Sequence, residues 1–161
     1  MTTDHLSRRD LIRVGDVMKS GVDIVDGMLT VATALKRLRF PENRALFVER
    51  RHDDDEYGVV MFRDIAREVI GKGLNPNRVN IYEIMSKPVI SVHTGMNVRY
   101  AIALFDRFGL SRAPVIDDGQ IIGMVSYSDI VLKGMGLIPS GTESAAGTES
   151  GTGTTPADGK D

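Results

Sequence analysis

The chain of 161 residues suits one compact domain or two small units sharing a core, and its 42% hydrophobic and 26% charged content is ordinary for a soluble globular protein. A net charge of −2 and a pI near 5.9 argue against nucleic acid, whose binders usually carry a basic face and a domain pI above about 9. With no cysteine, and with His5, His52 and His93 outside any ligand spacing, disulfides, thiolate nucleophiles and a metal site are not expected.

Residues 1–10 form an N-terminal lead with no apolar run of about 7 to 15 residues such as a signal peptide needs, and nothing approaches the roughly 20 apolar residues of a membrane span. Cytoplasmic residence and no membrane partner are the expectation. A short helical lead-in ends at Met18, and Ile24-Val25 reads as a strand. From Thr30, a plausible N-cap, to Phe40 the register of Val31, Leu35 and Leu38 against Lys36, Arg37 and Arg39 predicts an amphipathic helix packed on a sheet. Ala45 to Val48 and Gly58 to Met61 read as strands joined through Arg50 to Glu56. The Asp53-Asp54-Asp55 run there lacks calcium-loop spacing and is read as a solvated hairpin tip. Gly71 to Pro76 breaks the preceding helix, has no phosphate-loop spacing, and opens a linker placed at 72–80. A second amphipathic helix follows, with Asn97 as cap, Val98, Ile102 and Phe105 inward and Gly109 as the stop. Ala113 to Ile116 and Gln120 to Ser126 form a hairpin through Asp117-Asp118-Gly119. From Pro139 the composition turns to Gly, Thr, Ser, Ala and Glu, with Gly141-Thr142-Glu143-Ser144 recurring at Gly147-Thr148-Glu149-Ser150; a tail over 137–161 is expected to be disordered.

The elements form one pattern used twice. Val14 to Met18 answers Ile81 to Met85, and Val31 to Leu35 answers Val98 to Ile102, at an offset of 67 that holds as far as Val48 and Val115. At Gly58 and Gly123 the offset becomes 65, because the first copy has two extra residues in its turn. The predicted architecture is α/β (α+β): two β-α-β-β-α repeats, at 11–71 and 81–136, packed about a pseudo-twofold axis with a ligand-sized groove between them.

Chemistry concentrates where each repeat passes from its last strand into its last helix. Ser126 ends a strand and Asp129 sits one turn on, at a helix N-terminus suited to a ribose diol or a phosphate. The same spacing also fits a capping box, in which the two side chains satisfy only their own helix.

In that duplicated setting the chain resembles the CBS domain, named for cystathionine β-synthase, over roughly Leu11 to Met135. The resemblance rests on Asp16-Val17-Met18 and Glu83-Ile84-Met85, on Ser111 to Asp117, and on Gly123-Met124-Val125-Ser126-Tyr127-Ser128-Asp129-Ile130. It implies an adenosine ligand, AMP, ADP, ATP or an S-adenosyl compound, with Ser126 and Asp129 on the ribose and Met124 lining the base pocket. It also implies adenine contacts from Lys19 through Val22, and phosphate contacts from Arg44, Ser111 and Arg112. In the first copy Met61 stands at the hydroxyl position although Asp64 is kept, and Phe47 replaces the counterpart of Pro114. A thioether donates no hydrogen bond, so the pseudo-equivalent site around Asp64 and Ser86 is expected to be the weaker one. No nucleophile and base share a readable motif, and neither catalysis nor a catalytic cofactor is expected. The readings that remain are a nucleotide-sensing regulatory module acting on itself or on an unidentified regulated protein, and a ligand-blind dimerisation or interaction module. The resemblance further implies a homodimer formed through exposed helices.

Overall fold

The structure, a computed structural model, describes residues 11–136; the lead 1–10 and the tail 137–161, with the disorder expected of it, lie outside the described residues. The first half comprises α1 (Val14–Val17), β1 (Ile24–Val25), α2 (Val31–Lys36), β2 (Ala45–Val48), β3 (Gly58–Met61) and α3 (Phe62–Ile65), the last continued by a π-helical stretch over Ala66–Ile70. Its sheet runs in the order β1-β2-β3, with β1 parallel and β3 antiparallel to β2, and all four residues of the central strand are buried. Thr30 caps α2 as expected, its hydroxyl accepting from the Thr33 N–H at 3.2 Å.

That helix ends at Lys36, four residues before the predicted Phe40. The buried Asp23 carboxylate accepts the N–H groups of Arg39 (3.0 Å) and Phe40 (2.9 Å), which a longer helix would have bonded to itself. Pro41 also disfavours helical geometry at the residue before it, and a 3-10 turn over Pro41–Asn43 follows.

The second half comprises α4 (Ile81–Ile84), α5 (Val98–Phe108), β4 (Arg112–Asp117), β5 (Gln120–Ser126) and α6 (Tyr127–Gly134). Asn97 caps α5 by accepting from the Arg99 N–H at 2.9 Å, and Gly109, at φ 63°, ends it in the left-handed conformation glycine adopts freely. The inward residues are Val98, Ala101 and Phe105; Ile102 faces outward, correcting the expected core position. A turn with positive φ at Asp118 and Gly119 joins β4 to β5. Ser91-Val92, the counterpart of β1, contributes only a parallel bridge between Val92 and Val115.

Two α/β repeats of the predicted order therefore exist, and they exchange their lead-ins. Val14 and Val17 of α1 lie in the core formed by Val92, Ala101, Phe105, Val115 and Val125 of the second half. Ile81 of α4 lies in the core of Val31, Leu46, Val60 and Val69 of the first half. Two matched pairs of backbone hydrogen bonds fix the exchange: Lys19 with Met124 at 2.8 and 2.9 Å, and Ser86 with Val59 at 2.9 Å in both directions. These pairs coincide under the 67- and 65-residue offsets, so the two-fold relation extends to the backbone.

Candidate functional site

Each repeat presents its helix N-terminus to the post-lead-in segment of the other. The carbonyl of Arg44 accepts from the Phe62 N–H at 3.0 Å, and that of Ser111 accepts from the Tyr127 N–H at 3.1 Å, so the residue before each middle strand is moored beside the helix that follows the last strand. The two corners built this way share a backbone plan and differ in their side chains.

At the Ser126 corner the capping box is closed. The Asp129 carboxylate accepts from the Ser126 hydroxyl (2.8 Å) and N–H (3.0 Å), and the Asp129 N–H reaches back to the Ser126 oxygen at 3.3 Å. The other carboxylate oxygen faces the Lys19 ammonium at 3.4 Å, and Lys133 donates to the Met18 carbonyl at 3.1 Å. Met124 is buried and joined to Lys19 through the backbone. Val22 is half-buried beside Gly21, whose missing side chain is matched by the Phe40 ring: a Cβ there would stand 2.5 Å from the ring. Asn43, 2% exposed, donates to the Gly21 carbonyl at 2.7 Å. Asp23, Phe40, Gly21 and Asn43 thus tie this corner together from within the first repeat.

At the Asp64 corner the counterparts of Gly21, Asp23 and Asn43 are Pro88, Ile90 and Leu110, which cannot form such ties. A cavity opens there, lined by both repeats: Phe47, Val59, Met61 and Asp64 from the first, and Ser86, Val89, Leu110 and Pro114 from the second. Asp64 accepts from the Met61 N–H at 2.9 Å and from Arg67 at 3.3 Å. A second, more open groove carries Arg44, Phe62 and Ser111, and shares Met61, Arg63 and Arg112 with the first.

Of the positions picked from the sequence, Arg44, Ser111 and Arg112 therefore gather on the side of Asp64 and Ser86, while Ser126, Asp129, Met124 and Lys19 gather at the other corner; Val22 lines neither cavity. Ser126 and Asp129 line neither cavity. Sequence reasoning passed over Arg63, which lies in both linings; its place one residue before the retained Asp64 was the available signal. Arg112 is pinned by donating to Ser111 at 3.2 Å and to the Asn43 carbonyl. Burial holds its guanidinium below the usual arginine value, with Arg44 and Arg63 pushing the same way and Asp129 opposing. Among the described residues no group of three or more His, Cys, Asp or Glu side chains is placed to hold a metal ion, and no helix is long and apolar enough to cross a membrane.

Two homologous α/β repeats with exchanged lead-ins and a shared cleft define a tandem-repeat module. The CBS domain profile matches residues 81–136. A hexameric CBS-CP12 protein from bloom-forming cyanobacteria is 36% identical, with 77% of this chain and 72% of that one covered and a TM-score of 0.72. An uncharacterised protein of Methanopyrus kandleri is 33% identical over 124 residues, covering 74% of this chain; the match spans 61% of that protein's length. A CBS domain pair solved in complex with 5′-methylthioadenosine and S-adenosyl-L-methionine is 23% identical, with 74% and 97% coverage and a TM-score of 0.62. The chain belongs to the CBS domain family.

Proposed function

We propose that the chain is a regulatory module whose cleft takes an adenosine-type ligand, AMP, ADP, ATP or an S-adenosyl compound, and signals through the relative orientation of its repeats. The observation that carries this reading is the order of groups at the Asp64 corner: an apolar cavity, then a buried carboxylate, then a polar groove. That order parallels base, ribose and the 5′ substituent of a nucleoside. A carboxylate accepts from a vicinal diol, and an apolar slot shelters an aromatic base. The adenosine compounds in complex with the similar CBS pair support the same ligand class.

The Ser126 corner, which the sequence led us to expect as the stronger site, enters this reading as the second position, because the ligand there competes with Lys19 for Asp129. Because the Asp64 cavity is lined from both repeats, a bound ligand changes the free energy of one arrangement relative to others, and that difference is all a signal can use. An exposed apolar surface on α5 and α6, with Tyr100, Phe108, Val131 and Leu132, accords with assembly as a homodimer.

Calorimetric titration with AMP, ATP and 5′-methylthioadenosine tests the assignment. Asp64→Asn keeps a carbonyl oxygen for the Met61 N–H but weakens the ribose contact, and is expected to reduce affinity at least tenfold, whereas Asp129→Asn leaves the tighter site intact. Loss in the Asp129 variant alone would move the site to the Ser126 corner. No heat and no thermal shift with any adenosine compound would leave the ligand-blind interaction module as the reading.

A further inference from the structure

Residues 39–43 take a different form from their counterparts in the second repeat. Those counterparts, 106–110, carry α5 on to Phe108, and Leu110 lines the open Asp64 cavity. In the first repeat the buried Asp23 carboxylate accepts the N–H groups of Arg39 and Phe40, and α2 stops at Lys36; the counterpart of Asp23, Ile90, has no acceptor to offer. The segment freed in this way folds back, so that the Phe40 ring lies against Gly21, where a Cβ would stand 2.5 Å from it. Gly21 is the counterpart of Pro88, a wall residue of the open cavity. Asn43, the counterpart of Leu110, fastens the far end of the segment by donating to the Gly21 carbonyl at 2.7 Å. Its Oδ1 atom is buried and has no hydrogen-bond partner among the described residues.

We infer that residues 39–43 form an autoinhibitory strap, whose Phe40 ring fills the Ser126 corner in place of a ligand, so that this corner binds only once the strap lifts. The inference rests on the cleft taking an adenosine-type ligand. A flat apolar ring laid against a glycine fills the kind of slot that shelters an aromatic base. At the polar end of the same corner the Lys19 ammonium engages Asp129 at 3.4 Å, and the Asp129 side chain is 4% exposed against 12% for Asp64. Groups of the chain itself thus hold both ends of the corner. The closure is poised rather than locked, because a buried acceptor left without a donor is unfavourable, and lifting the strap returns Asn43 to water. Phe40 is only half-buried, Arg39, Pro41 and Glu42 are exposed, and none of the five residues belongs to either hydrophobic core, so the strap lifts without unpacking a repeat.

The test is calorimetric titration of the full chain with AMP and with 5′-methylthioadenosine, on wild type, Phe40→Ala, Phe40→Leu, and Phe40→Ala combined with Asp129→Asn. Wild type is expected to take up one equivalent tightly, at the Asp64 corner. Phe40→Ala should bind a second equivalent at least tenfold more tightly than wild type does, and adding Asp129→Asn should return the tight stoichiometry to one. Phe40→Leu keeps most of the apolar packing, which guards against a folding defect, and should show the same gain in smaller measure. Phe40 variants that match wild type in stoichiometry and affinity overturn the inference and leave the adenosine reading at the Asp64 corner standing, as does a wild type that already binds two equal equivalents. Binding in the Phe40 variants alone upholds the strap and removes the Asp64 corner as the site. Failure of wild type and every variant to bind either compound brings down both.

Discussion

Gly58 and Gly123 hold equivalent places in the repeated pattern, yet their surroundings make them unequal. A Cβ at Gly123 would lie 2.1 Å from the Lys19 carbonyl oxygen, a backbone atom fixed in the inter-repeat ladder. One at Gly58 would meet the Met85 sulfur at 2.9 Å, near the end of a flexible side chain. Gly123→Ala is accordingly expected to cost about 3 kcal/mol and Gly58→Ala about 1 kcal/mol or less, in the range of overpacking; urea unfolding of the two variants checks the order. Gly58 was legible as a strand start and Gly123 as a residue within the strand Gln120 to Ser126, but the collision at Gly123 was not, since it depends on a residue about a hundred positions away. Ile102 makes the same point. Its helical register was read correctly to within one face, and the packing of Ala101 decided which side met the core.

Short-range signals located the elements well because they act within a few residues. Caps at Thr30 and Asn97, the stop at Gly109 and the Asp118-Gly119 turn all stand where local chemistry placed them. Misreadings occurred where a distant group intervened: Asp23 took the amides of Arg39 and Phe40 and shortened α2. At the β2–β3 turn, Asp55 is not the solvated tip residue expected, because its carboxylate accepts from Lys87 and from the Arg51 N–H at 2.9 Å. Lys87 first, and then the Arg51 amide, hold that carboxyl well below the usual carboxylate range. A depressed native pKa contributes stability that is present above the ordinary aspartate value, near 3.9, and fades as pH falls below it. Wild type should therefore be slightly more stable than Lys87→Gln at pH 7, with the gap closing on acidification below about pH 4; thermal melts across that range show whether it does. The Lys87 side chain remains 27% exposed, and solvent screening there keeps the effect small.

At the scale of the molecule, the exchanged lead-ins make neither repeat complete in its own stretch of chain. Val14 and Val17 are almost fully buried against the second half, as Ile81 is against the first. A fragment spanning 81–136 lacks α1, and so exposes the faces of Val92, Val115 and Val125 that α1 covers; it is expected to be unfolded or aggregated as an isolated chain. Circular dichroism of that fragment, with and without added peptide 11–22, provides the check, and a cooperative melt of the fragment alone would contradict the coupling. The same exchange gives a cleft ligand its leverage, since contacts to Ser86 and Val89 bear on a segment continuous with the other repeat's core.

The sequence by itself determined the duplication, the element order, the caps and the residue types at both corners, because periodicity and short-range hydrogen bonding are written in neighbouring residues. Only the tertiary structure decided which corner is open. Gly21, Asp23 and Asn43 could be matched to Pro88, Ile90 and Leu110 by counting, but their effect required the Phe40 loop to fold over one set and not the other. The gathering of Arg44, Arg63 and Arg112 was likewise a matter of three elements meeting in space, since electrostatic fields act through distance and not through position along the chain.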